Sequence, residues 1–286
     1  MASRILRARL LSLPLEIRLE IYRYLLEPER AISDELSRPL ERQNLTPLCI
    51  RTLSPARYEN RKWRQAYKRR SKYYGHSKRS NVPYLTTYYV IPARFTYASI
   101  LRVNRQIYSE AIPILYSSYT MDFERHVEAV QPFLSDLFLS TSSIRYVAIT
   151  KRASPFEKES HRADWKTACH ALAKLPQLQE LTLNVIASKP RLSSHDIFSP
   201  MDRIEMVQMF ALDSFQWTRD LSNIEKLKKL HVYAHIEKCP VPKTDALWEW
   251  VRFSENIEGS FREVLNSILI ESQGNGGTTG REEKRG

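Results

Sequence analysis

Leu178-Gln179-Glu180-Leu181-Thr182-Leu183-Asn184-Val185 opens on a Leu-x-x-Leu step and then alternates apolar with polar residues. A period of two in Leu, Thr and Val is the pattern of a half-buried strand. The phrase returns on both sides. Ile144-Arg145-Tyr146-Val147-Ala148-Ile149 precedes it, and Leu227-Lys228-Lys229-Leu230-His231-Val232-Tyr233-Ala234 follows it. Each copy comes after a helical pattern and a short polar turn. The helices are expected at Val127–Leu139, at Asp164–Leu175 with Asp164 as cap, and as one long helix within Pro200–Leu221. Tyr119–Phe123 reads as a further strand and Lys243–Ile270 as mostly helix. Strand–helix alternation predicts parallel strands joined by right-handed crossovers. The spacing is irregular, longer than a standard leucine-rich repeat, and has no asparagine ladder. The fold class read from this pattern is α/β.

Two helical patterns stand outside the repeat. In Leu11-Ser12-Leu13-Pro14-Leu15-Glu16-Ile17-Arg18-Leu19-Glu20-Ile21-Tyr22-Arg23-Tyr24-Leu25-Leu26, Ser12 or Leu13 takes the cap position and Pro14 the first turn, where a missing N–H costs nothing. At about 100° per residue, Leu15, Leu19, Tyr22 and Leu26 form one apolar stripe. Ile17, Ile21, Tyr24 and Leu25 form a second, with Glu16, Arg18, Glu20 and Arg23 between the two. Such a helix needs cover on two sides, one its own core and the other more of this chain or another protein. Pro28 closes it. The second pattern runs from Ile100 to Tyr116. Ile100, Val103, Ile107, Ala111 and Ile114 share one face, while Arg102, Arg105, Gln106, Ser109 and Glu110 take the other. Pro113 projects to the polar side and is expected to bend or shorten the last turn.

Between the two helices lies a stretch of different character. Residues 29–95 are rich in Arg, Lys, Ser, Pro and Tyr, and read as a basic, largely flexible insertion. A short helix near 59–70 and a short strand at Tyr84–Ile91 are the elements it offers. The net charge of +12 is concentrated from Arg57 to Arg79. Lys68, Arg69, Arg70 and Lys72, interleaved with Trp63, Tyr67, Tyr73 and Tyr74, are the candidate contacts for nucleic acid or a nuclear-import receptor. The alternative reading of such a charge run is a solvated loop.

Composition removes several function classes. Of seven glycines, only Gly75 precedes Gly259, so residues 1–258 hold no Walker loop, no GxGxxG turn and no GxSxG elbow. Three scattered cysteines, Cys49, Cys169 and Cys239, support neither a disulfide framework nor a zinc site. His231 and His235 share a strand face with Tyr233 between them, and no fourth ligand has suitable spacing. Cys169 and His170 diverge by about 100° on one helix and cannot act as nucleophile and base together. No catalytic constellation, metal site or cofactor is expected. No stretch approaches the roughly 18 apolar residues of a membrane-spanning helix. With no uninterrupted apolar leader and no disulfide pattern, an intracellular place, cytoplasmic or nuclear, is expected.

The pairing of Leu13-Pro14-Leu15-Glu16-Ile17-Arg18…Ile21-Tyr22…Leu25-Leu26 with Ile100-Leu101-Arg102-Val103-Asn104-Arg105-Gln106-Ile107-Tyr108…Leu115-Tyr116 resembles the F-box. It is most similar to the F-box-like proteins of filamentous fungi. The resemblance implies a helical hook that docks on the small adaptor subunit of a cullin-RING ubiquitin ligase. Leu13, Pro14, Ile17 and Ile21 would face the adaptor, with Val103 and Arg105 matching the second motif. It also implies a leucine-rich-repeat-like body that carries a protein substrate. The chain divides accordingly into a first F-box-like helix (1–28), the basic insertion (29–95), a second F-box-like helix with the irregular repeat body (96–271), and a disordered tail (272–286). The expected function is a non-catalytic protein-interaction module, an F-box-type substrate-recruiting subunit. The alternative is a nuclear or nucleic-acid-associated scaffold working through the insertion.

Overall fold

The computed structural model describes residues 10–27, 47–52, 68–76, 83–91, 98–137, 140–190 apart from 155 and 158, 200–224, and 227–270 apart from 240 and 242. Helix α1 spans Leu15–Leu26, and three strands follow: β1 (Pro47–Thr52), β2 (Lys68–His76) and β3 (Pro83–Ile91). A 3-10 turn at Ala98–Arg102 leads into α2 (Arg105–Ser118). Then come β4 (Thr120–Asp122), α3 (Val130–Asp136), β5 (Tyr146–Arg152), α4 (Glu159–Ala173) and β6 (Glu180–Pro190). Helices α5 (Arg203–Phe210) and α6 (Gln216–Leu221) precede β7 (Lys229–Cys239), and α7 (Asp245–Glu255) and α8 (Arg262–Leu269) close the described chain. Among these residues no helix is long and apolar enough to cross a membrane.

The strands form one mixed sheet in the order β2-β3-β1-β4-β5-β6-β7. Five of them, β1, β4, β5, β6 and β7, run parallel to one another. Strand β3 is antiparallel to β1, and β2 to β3. From β4 onward, spatial order equals sequence order, and helices separate the strands. Crossovers of one hand between such neighbours carry their helices to one face. Burial alternates at the start of β6 and β7, whereas β5 is buried on both faces from Val147 to Lys151. Val147, Ile149, Leu181, Leu183, Leu230 and Val232 line up across β5, β6 and β7 and are buried. Thr182, Asn184, His231 and Tyr233 on the opposite face are only half-buried. On the covered face, Trp165 of α4 meets Trp217 of α6 edge-on at 5.9 Å and donates its indole N–H to the Trp217 carbonyl at 2.9 Å. Phe215, Phe253 and Phe261 extend this aromatic layer, again mostly edge-on. Quadrupoles favour that arrangement over flat stacking.

Residues 47–52, 68–76 and 83–91 depart from the expected insertion. Strand β1 is internal, paired through Cys49–Ile91 on one side and Leu48–Met121 on the other. Leu48, Ile50 and Tyr88 belong to the core. Arg51 is buried, donates to the carbonyl oxygens of Ile50 and Asp122, and pairs with Glu124. A largely flexible insertion is therefore the wrong description of these three strands. Residues 59–67 of the expected short helix lie outside the described residues, and 68–70 are strand, not helix. The expected tail from 272 lies outside them too.

Smaller corrections have local causes. Pro14 stands at the cap of α1 itself, at φ −50 and ψ 149, and no side chain caps the helix. Glu27 turns extended after Leu26, as the residue before a proline must. Helix α2 continues through Pro113 to Ser118, with the proline on its exposed side. Asp164 is not a cap but lies inside α4, where burial pushes its carboxyl up to about 6. The long helix within 200–221 is two. Asp202 and Glu205 form a reciprocal capping box at the start of α5, and a 3-10 turn at Asp213–Phe215 separates it from α6.

Candidate partner-docking site

Helix α1 keeps one stripe for the core. Tyr22 and Leu26 are fully buried, Leu19 of the same stripe packs against the core, and Leu25 of the second stripe joins it there. The other side stays open: Ile17 is 49% exposed and Tyr24 87%, with Leu15 also exposed at the start of the helix. Of the residues expected to face a partner, Pro14 is exposed, and Leu13 and Ile21 are half-buried. Val103 and Arg105 are exposed just before and at the start of α2, as is Tyr108 one turn later. Asn104, between Val103 and Arg105, caps α2 by accepting the Gln106 N–H at 2.7 Å. Substituting Ala at such a cap costs about 1 kcal/mol.

The two helices are held together by a carboxylate. Arg18 donates two hydrogen bonds to Glu110, Nε to Oε2 at 2.9 Å and Nη2 to Oε1 at 2.7 Å. Tyr22 donates its hydroxyl to the same Oε2 at 3.1 Å, and Gln106 reaches Oε1 at 2.9 Å. The remaining guanidinium nitrogen of Arg18 donates to the carbonyl of Leu13 at 2.6 Å and to that of Leu11 at 3.3 Å. Both charged side chains are mostly covered, 11% and 15% exposed. The Arg18 hydrogen bonds hold the Glu110 carboxyl down at about 2. Tyr22 is pushed up, first by burial and then by its bond to Glu110. A planar fork on a carboxylate fixes angle as well as distance, so the cluster sets how α1 lies against α2 and orients the segment from Leu11 to Leu13.

Sequence reasoning placed Arg18 between the stripes and Glu110 on a polar face, and so missed this cluster. The available signal was spacing. Arg18 precedes Tyr22 by four residues, and Gln106 precedes Glu110 by four, which puts each pair on one helix face.

Lys68, Arg69, Arg70 and Lys72 fall on β2 at the sheet edge, where Lys68, Arg69 and Arg70 pair with Tyr89, Tyr88 and Thr87. Their side chains lie outside the described residues. The structure does not bring them to the α1–α2 pair.

A second surface is the face of β5–β7 opposite the helices. His231 stacks parallel to Tyr233 with centroids 6.5 Å apart, and its Nε2 lies 3.7 Å from Glu180. Arg125 and Arg152 both reach Glu237. Among the described residues, no group of three or more His, Cys, Asp or Glu is placed to hold a metal. Cys169 is buried, which pushes its thiol well up and leaves it a poor nucleophile.

A family model for a domain of unknown function, DUF7730, matches residues 5–213. That is well over half of the 286 residues, and the chain belongs to this family. The matched span takes in the α1–α2 pair and every strand from β1 to β6. No curated protein and no solved structure matches the chain significantly.

Proposed function

We propose that this member of the DUF7730 family is a non-catalytic, intracellular interaction module whose α1–α2 pair docks on another protein in the manner of an F-box. The observation that carries the reading is the division of labour on α1. Tyr22 and Leu26 are spent on the core, while Ile17 and Tyr24 stand in solvent, and Val103 and Tyr108 of the second motif are exposed as well. Large apolar groups exposed on a rigid two-helix support are what a protein interface needs for its central contacts. The Arg18–Glu110 cluster supports the same reading, because it presents the two motif segments in one fixed orientation.

The resemblance of those motifs to the F-box makes the adaptor subunit of a cullin-RING ubiquitin ligase the partner of choice. The strand–helix units from β4 to β7 support an irregular leucine-rich-repeat-like body, whose helix-free sheet face would receive the protein substrate. The test is a pull-down with purified adaptor, comparing the wild type with an Ile17→Glu/Val103→Glu variant. Both positions are exposed, so the variant should keep its melting temperature. Loss of adaptor binding by about 30-fold or more is expected for central contacts. A folded wild type that does not bind the adaptor overturns the ligase reading.

A further inference from the structure

Strand β7 ends the sheet, and among the described residues no strand lies on its outer side. Two contacts fix which of its backbone groups face outward. Lys229 donates its N–H inward, to the Gln179 carbonyl just before β6, at 3.1 Å. Ala234 donates outward, to the Glu258 carboxylate at 3.0 Å. The β6–β7 register runs unbroken from Lys229 to Cys239. Backbone groups of alternate residues in a ladder point to opposite sides, so Ile236 and Lys238, like Ala234, turn their N–H and C=O groups outward. Among the described residues nothing pairs with these four groups. Both residues are exposed, Ile236 at 46%. The turn at Ile257–Phe261, between α7 and α8, thus closes the edge at Ala234 through Glu258 and leaves the stretch beyond it open.

An open edge is a template for one more strand, and the charges on this one select it. Exposed Glu258 stands at one end of the open stretch and exposed Lys238 at the other. A two-fold axis through Ile236, normal to the sheet, lays a second β7 antiparallel to the first. Ile236 then faces its own copy, Lys238 faces Ala234, and Glu237 faces His235. Residues directly opposite point to the same side of a sheet. Lys238 therefore meets the partner's Glu258 on the helix side, while His235 joins Arg125 and Arg152 around Glu237 on the other. The two Ile236 residues exchange two main-chain hydrogen bonds, and each Lys238 N–H finds an Ala234 carbonyl. Only the Ala234 N–H, already held by Glu258, takes no part. The next register, centred on Glu237, would set two acids against each other, which destabilises a pair. Lysine on an edge can also be a guard, but a guard repels a copy of itself, and here the two-fold brings opposite charges together.

We infer that β7 pairs with the β7 of a second copy of this chain, antiparallel about Ile236, and joins two seven-stranded sheets into one. Four main-chain hydrogen bonds and a few side chains make an interface at the small end of the size range, so the dimer is weak, with a dissociation constant on the order of 10–100 μM. The surface is separate from the α1–α2 pair, and the adaptor reading and this one stand or fall separately.

The test is sedimentation velocity of the full chain at concentrations from about 5 to 300 μM, spanning that constant. The sedimenting mass should rise from the 33.6 kDa of one chain toward twice that value. Lys238→Glu turns two attractions into repulsions and should weaken association about tenfold or more. Lys238→Glu/Glu258→Lys should restore it to near the wild-type value. Ile236→Pro removes two of the bonds at an outward-facing edge position, where proline is tolerated, and should also weaken association about tenfold or more. Urea midpoints check that each variant folds, and the charge exchange carries the test if the proline variant does not. Ile17→Glu, on α1, should leave association unchanged. A wild type that stays monomeric throughout overturns the inference. So does a dimer indifferent to folded Lys238→Glu, a charge exchange that restores nothing, or a dimer lost with Ile17→Glu.

Discussion

Arg18 and Glu110 stand 92 positions apart in the chain and meet through two hydrogen bonds of 2.9 and 2.7 Å in a mostly covered site. Tyr22 and Gln106 complete the set of donors around the carboxylate. This one acidic group joins α1 to α2, alongside the apolar contacts of Tyr22 and Leu26 with the core.

The first expectation concerns acid. Glu110 titrates at about 2 in the folded chain against an ordinary value of 4.5. Its folded value is depressed, so its contribution is fully present above pH 4.5. It is lost as pH falls from there toward 2, where the unfolded chain binds the extra proton. Urea midpoints measured across that window should fall more steeply for the wild type than for Glu110→Gln. The variant should also be less stable at neutral pH, by about 1.5–3 kcal/mol, the range for a hydrogen bond to a charged group. Parallel curves would sink the claim that Glu110 is held ionised by Arg18.

A contrast within α1 separates stability from docking. Leu26→Ala removes a fully buried side chain and should cost about 2–5 kcal/mol. Tyr24→Ala changes a residue that is 87% exposed and should stay within about 0.5 kcal/mol of the wild type. If Tyr24 serves an interface, its loss should appear in partner affinity while the urea midpoint holds. A large stability loss at Tyr24 would place it in the core and end its role as a docking residue.

What the sequence made legible follows the range of the interaction. Three strands repeat one phrase, and the strand–helix alternation around Leu181 and Leu183 was enough to place β5, β6 and β7 in a parallel sheet. Helix α1 was readable for the same reason, since its stripes are local. The misses are non-local. Pro47-Leu48-Cys49-Ile50-Arg51-Thr52 is too short and too mixed to announce itself, and its partners lie at 88–91 and 120–122. Arg51 reads as one more surface cation until Asp122 and Glu124 are placed around it. Asp164 looked like a cap because Asp favours caps, but the helix begins at Glu159. The candidate hook was visible as two motifs, whereas the cluster joining them was not, because its members come from opposite sides of the basic stretch.

Ile50 tests the internal place of β1. It is fully buried between β3 and β4. Ile50→Ala should cost about 2–5 kcal/mol, as much as the same change at a central position of β6 such as Leu183. Urea denaturation of the two variants side by side makes the comparison. A flexible insertion would leave the Ile50 variant at wild-type stability, and that result would remove β1 from the sheet.

The last expectation concerns a buried ion pair at the carboxyl end of β5. Lys151 is 3% exposed and donates to both oxygens of Glu157, at 2.6 and 2.7 Å, with its ammonium 4.9 Å above the Trp165 ring. Burial lowers its pKa below the usual 10.5, with Glu157 opposing that shift. The folded chain thus sheds the proton before the unfolded one, so this lysine makes stability rise with pH in the window just below 10.5. At neutral pH, removing only the acid strands the ammonium. Glu157→Gln should cost about 3–5 kcal/mol, and adding Lys151→Met should recover most of it, since an apolar replacement for a buried pair is often neutral. Equilibrium denaturation of both variants decides the matter. A Glu157→Gln loss below about 1 kcal/mol would mean that water already screens the pair, as at an exposed site, and that the lysine is not sealed beneath the aromatic layer. Recovery in the double variant would instead locate the penalty in the stranded charge, with Trp165 and Trp217 closing over the methionine as they close over the lysine stem.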